Sequence, residues 1–139
     1  MIQRIQTIYF LLATIASAII CFVPLGASLN METGNQTNFL VYQNYFLLAL
    51  GAIPALIALI NIFLYKNRPL QIKLGRLNCV LISILIGLLV FYLAFNATTK
   101  INLPKPGLVF PLFALIFNIL GLRGVVADEK LIESMDRLR

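Results

Sequence analysis

The sequence predicts an all-α membrane protein: four transmembrane helices, both termini cytoplasmic, and a short amphipathic C-terminal helix. Three observations carry this expectation. Of 139 residues, 60% are hydrophobic and 12% charged, about half the charge of an ordinary soluble domain. Four apolar runs approach or reach the roughly 20 residues that a helix needs to cross a bilayer core. In lipid, such runs have to be helices, because each segment must pair its own backbone. Finally, Lys and Arg gather at alternate ends of the runs. The length holds one domain at most, read as a transmembrane unit over 1–127 and a charged tail over 128–139.

The first run covers about 5–25. Arg4 ahead of it and Ala16-Ser17-Ala18 within it imitate a signal peptide. The apolar stretch continues through Ile19, Ile20, Cys21, Phe22 and Val23, so a retained helix is expected. The polar segment 26–44 follows, with several amides and one acid, Glu32. The second run spans about 46–65. Its Pro54 removes a backbone donor and predicts a kink.

Between the second and third runs stand Lys66, Arg68, Lys73 and Arg76, without an acid. Pro69 can open a helix there, with Leu70, Leu74 and Leu77 on one face and Lys73 and Arg76 in water. Such a lead-in suits anionic lipid headgroups. The third run covers about 77–95, and Pro104 and Pro106 stiffen the short segment 96–107. The fourth, about 108–127, is interrupted only by Arg123, close enough to its end to snorkel to the headgroups. Tyr9, Tyr42, Tyr45, Tyr65, Tyr92 and Phe110 lie near run ends, as an interfacial belt requires.

Orientation follows from the basic residues. Arg4, the four in the middle loop, Arg123, Lys130, Arg137 and Arg139 make nine on one side, against Lys100 and Lys105 on the other. Both termini and the middle loop are therefore expected inside. The net charge of +6 is a topology signal, and nucleic acid is not an expected partner, because the charges bracket helices instead of forming one face.

The chemistry is mainly one of exclusion. The chain has no histidine, hence no imidazole base and no His-ligated metal or haem. Cys21 and Cys79 form no C-x-x-C and should differ in depth by roughly 20 Å at 1.5 Å per residue, beyond disulfide reach. The central runs hold no ionisable group, the usual mark of a proton or ion path. No nucleophile–base pair or ligand set emerges, so neither an enzyme nor a cofactor is expected.

Asn61, Asn78 and Asn118 are the polar side chains of note. Each is expected to hydrogen-bond between helices, with a solute-binding role as the alternative. Small residues mark expected packing strips: Ala13, Ser17 and Cys21; Gly51, Ala55 and Ala58; Ser83 and Gly87; Ala114, Asn118 and Gly121. The tail changes character. Leu131, Ile132, Met135 and Leu138 share a helical stripe, and Glu133 with Arg137 makes an ordered i,i+4 pair. Its acids and bases nearly balance, which argues against simple lipid adsorption. A solvated helix end or a docking surface remains, the latter using Leu131, Met135 and Leu138 with Asp128, Glu133 and Arg137 at the rim.

Three stretches carry a resemblance. Met1-Ile2-Gln3-Arg4-Ile5-Gln6-Thr7-Ile8-Tyr9, Leu70-Gln71-Ile72-Lys73-Leu74-Gly75-Arg76-Leu77-Asn78 and Asp128-Glu129-Lys130-Leu131-Ile132-Glu133-Ser134-Met135-Asp136-Arg137-Leu138-Arg139 resemble the bacterial domain-of-unknown-function family 4293. That resemblance implies a small inner-membrane protein of Bacteroidota with four helices, and no activity or site. The expectation is a non-enzymatic accessory or assembly subunit of a larger envelope complex (translocon, secretion or respiratory), its partners being lipid and another membrane protein. The alternative is a small oligomeric transporter or pore for a neutral or apolar solute, built on Asn61, Asn118 and the Pro54 kink.

Overall fold

The computed structural model describes residues 2–24, 26–29, 36–41, 45–97, 101–104 and 106–136. Helices α1 (Ile2–Ile20), α2 (Tyr45–Phe63), α3 (Arg68–Ala97) and α4 (Val109–Asp136) alternate with strands β1 (Gly26–Leu29), β2 (Gln36–Phe39) and β3 (Ile101–Pro104). Buried positions on the helices recur at alternating steps of three and four. On α1 they are Gln6, Phe10, Ala13, Ser17 and Ile20, and on α2 Leu47, Gly51, Pro54, Ala58 and Asn61. On α3 the stripe is Gln71, Gly75, Asn78, Ile82, Leu85 and Leu89, and on α4 Pro111, Ala114, Asn118, Gly121, Val125 and Asp128. A 3.5-residue repeat keeps one stripe facing its neighbours along the whole helix, the pattern of coiled-coil-like bundles. Accordingly α1 packs on α4 and α2, and α3 closes the ring against the same two helices.

The core is layered. Ile20, Val41, Leu47, Leu85 and Leu89 pack at the end nearest the strands, and Ala16, Ile82 and Ala114 in the middle. Phe10, Ile72 and Val125 pack at the other end. The opposite helix faces expose large apolar side chains such as Leu56, Val80, Val90, Leu112 and Ile116, which water would not favour and lipid would.

Two expectations of fold class are corrected. Three helices, not four, are long and apolar enough to cross a membrane among the described residues: Tyr45–Lys66, Arg68–Tyr92 and Val109–Met135. The apolar part of α1 is only Ile5–Ile20, about 24 Å at 1.5 Å per residue against a hydrocarbon core of about 30 Å. Of the residues that lengthened the expected run, Cys21, Phe22, Val23 and Pro24 are not helical. The amides of Cys21 and Phe22 donate to Ala18 and Ile19 in a tightened last turn, at 3.1 and 3.0 Å, and Pro24 then disfavours helix at Val23.

The second correction concerns the C-terminus. Among the described residues there is no separate short amphipathic helix; α4 runs unbroken from Val109 to Asp136 and is itself one of the long apolar helices. Nothing between Val125 and Lys130 is a glycine or proline, and Asp128 places its side chain on α1 instead of capping a new helix.

The expected external segments hold a small sheet of order β2-β1-β3, antiparallel throughout. Gly26 lies opposite Phe39 and Pro104, and Leu29 opposite Gln36 and Ile101. At this end Gly107 admits the Pro24 carbonyl: a Cβ there would lie 2.4 Å from that oxygen.

Candidate functional site

Apart from Ser17 in the middle of α1, the buried polar side chains among the described residues gather toward the end of the bundle away from the sheet, in two groups. Asn61, Asn78 and Asn118 are each fully buried, on three different helices. Asn78 Nδ2 donates to Asn118 Oδ1 at 3.3 Å, and Asn118 Nδ2 donates to the Gly75 carbonyl at 3.1 Å, with Cys79 Sγ also at 3.1 Å. Gln71 Nε2 donates to the Asn61 carbonyl at 3.0 Å. Gly75 permits this closeness, since a Cβ there would stand 2.9 Å from Leu122 Cδ1 and 3.6 Å from Asn61 Nδ2. Asn78 and Asn118 are thus interhelical clamps. The Asn61 side-chain amide has no protein partner among the described residues.

Because Asn118 serves Asn78, the Gly75 carbonyl and Cys79 Sγ, its loss leaves the Asn78 amide donor unmet and takes a second bond from a carbonyl held otherwise by its own helix. Asn118→Leu is expected to destabilise by about 1–2 kcal/mol, within the range of interhelical hydrogen bonds in lipid. Asn78→Leu with Asn118→Leu should cost less than the sum of the two, because both partners of one bond are then apolar. A double-mutant cycle of unfolding in detergent measures this, and strict additivity would mean that the pair is not coupled.

A second polar cluster ties the chain together where α1 begins, α3 begins and α4 nears its end. Gln6 Nε2 donates to Asp128 Oδ2 at 2.6 Å, and the Arg68 guanidinium to the Asp128 carbonyl at 3.4 Å. A Cβ at Gly124 would lie 2.7 Å from Gln6 Cγ, so that glycine lets the amide in. Gln6 and Gln71 were not singled out in the sequence. The available signal was a long amide spaced by three or four from buried positions of an otherwise apolar helix.

Of the headgroup candidates, Lys66, Lys73, Arg76 and Arg123 are exposed and Arg68 is half-buried. The Lys66 ammonium stands 5.9 Å from the Tyr65 ring centroid, in the range of a cation–π contact. Among the docking candidates, Leu131 and Met135 are 55% and 63% exposed, Ile132 beside them is 40% exposed, and Glu133 is exposed. Asp128 is turned inward onto Gln6. Arg137 and Leu138 lie outside the described residues, as do Tyr42, Lys100 and Lys105. Cys21 and Cys79 are both free. Cys21 lies against α2, where a Cβ at Gly51 would meet its sulfur at 3.2 Å, while Cys79 adjoins Asn118.

No curated protein and no solved structure matches the chain. The family model described as "Domain of unknown function (DUF4293)" matches residues 2–138. Its matched stretch takes in α1, the amide layer and the far end of α4, so the chain belongs to that family.

Proposed function

We propose that this protein is a non-enzymatic accessory or assembly subunit of a larger complex in the bacterial inner membrane, docking through the end of α4. The observation that carries this reading is the continuation of α4 beyond its last buried position, Asp128. From Leu131 to Met135 every residue is exposed, three of them large and apolar. A solvated helix end has no need of such a stripe, whereas a helix-in-groove contact does. The Gln6–Asp128 bond supports the same reading, since it anchors the helix just before its exposed last turns and fixes their direction. Asn61 and Asn118, on which a pore would depend, are closed into the core of a single copy.

The basic residues at the α2–α3 junction share an end of the bundle with Gln6 and Asp128, and the sheet lies at the other end. We assign the basic end to the cytoplasm by the positive-inside rule. Reporter fusions at Gln71 and Arg139 are expected to read inside and those at Asn35 and Asn102 outside; a cytoplasmic signal at Asn35 contradicts this orientation. For the docking reading, purification in mild detergent should bring down a larger membrane protein in constant ratio. Elution of the chain alone, at its own mass, would speak against it.

A further inference from the structure

Two recesses adjoin the seam between α1 and α2. One, of about 420 Å³, opens at the basic end among all four helices, between Gln6 and Thr7 of α1, Ile62 of α2, Tyr65, Arg68 of α3 and Val125 of α4. The other, of about 450 Å³, continues toward the sheet past Thr14, Ala18, Ala52, Ala55 and Leu59. Thr7, Thr14 and Ala18 are spaced by seven and four on α1, and Ile62, Leu59, Ala55 and Ala52 by three, four and three on α2. The same two helix faces therefore carry both recesses. Alanines at 18, 52 and 55 keep the seam shallowly open, with Leu11, Leu56 and Phe22 exposed at its flanks.

The track is polar and cationic at one end and apolar over the rest, which is the shape of an amphiphile. Arg68 uses one nitrogen, toward the Asp128 carbonyl, of a guanidinium that offers five N–H donors in a fork suited to phosphate. The Asp128 carboxylate does not itself line the recess; it accepts from Gln6, which does, and is held behind that amide. Lys66, Lys73 and Arg76 are exposed on the same junction, and no acid occurs between residues 45 and 127. We propose that this seam binds one phospholipid with an anionic headgroup. Its phosphate sits on Arg68 beside Tyr65, and an acyl chain lies between α1 and α2. Basic recesses between membrane helices hold anionic headgroups in this way. The proposal rests on the membrane placement given above and not on the docking role of α4.

The test is thermal unfolding and lipid retention of the whole chain in mild detergent, with added phosphatidylglycerol, phosphatidylcholine or inorganic phosphate. Phosphatidylglycerol is expected to raise the unfolding temperature and to be retained through purification, and the other two to do neither. Arg68→Gln should weaken retention on the order of tenfold or more, the worth of charge-assisted hydrogen bonds, and Arg68→Lys should weaken it less. Ala55→Phe fills the apolar seam and leaves Arg68 in place, so it should expel the lipid while the protein still inserts. Lys130→Gln, exposed on α4 and outside the headgroup set, should change nothing. Equal stabilisation by both lipids, a Lys130→Gln effect as large as that of Arg68→Gln, or stabilisation by inorganic phosphate alone would each overturn the proposal. So would a stable dimer whose seam is covered by its second copy.

Discussion

Gly121→Leu is expected to lower the stability of the bundle by about 1–3 kcal/mol, the usual cost of forcing extra atoms into a packed core. Gly121 lies against the far end of the Phe10 ring, and a Cβ there would stand 3.2–3.3 Å from three ring atoms. The ring has nowhere to go, because Phe10 is wholly buried among Ile72 and Val125, with Leu122 and Val126 around them. The helices would have to part at their most extensive contact, that of α1 with α4. Gly87→Leu is the matched control: nothing lies within 4 Å of its Cβ position. Removing a helix-interior glycine there should be neutral or stabilising by about 0.5–1 kcal/mol. Adding Phe10→Ala to Gly121→Leu should restore part of the loss. Thermal or chemical unfolding in detergent checks all three, and equal behaviour of Gly121→Leu and Gly87→Leu would rule out this packing.

These glycines also show what the sequence made legible. Hydropathy found apolar stretches inside α2, α3 and α4, because lipid selects apolar residues on every face of a helix, but α3 starts earlier, at Arg68, and α4 runs on to Asp136. For the same reason it said nothing about which face is buried. Small and polar residues carried that information: the Asn118 and Gly121 stripe is buried as expected, whereas Ser83 and Gly87 are exposed. On α3 the informative residues were Gly75 and Asn78, two turns nearer the basic end. Counting apolar residues overran the end of α1, since Cys21, Phe22 and Val23 are apolar but are bent by Pro24. The change from apolar to charged composition at Asp128 suggested a new element, although nothing in the backbone chemistry there stops a helix. The sheet was hidden because β1 and β3 pair across 71 intervening positions in strands of four residues. The Gln6–Asp128 bond joins residues 122 apart, a contact that no local pattern reports.

The other large effect is on association. Leu131→Asp with Met135→Asp is expected to abolish co-purification of the partner while insertion and unfolding temperature stay as in the wild type. Both side chains are exposed in the free protein, so charging them costs the bundle little. In an interface they would be the apolar anchors, and anchors of this kind commonly account for 2 kcal/mol or more each on truncation, about thirtyfold in affinity. Reversing the charge at Glu133, which lies on the flank, should weaken association less and make it more sensitive to salt. A truncation is best made after Lys130, because cutting before Asp128 would also remove the bond to Gln6. Loss of membrane insertion in the double variant would show that these side chains serve the fold and not a partner.

The most direct test is a photo-crosslinking side chain placed at Met135, compared with one at Ile84, which is exposed on α3 far along the bundle. Docking through the end of α4 predicts a discrete adduct of one size with another protein from position 135, and only lipid adducts from position 84. Lipid adducts alone from position 135, or a protein adduct from position 84 alone, would contradict it and move the contact surface to the helices themselves.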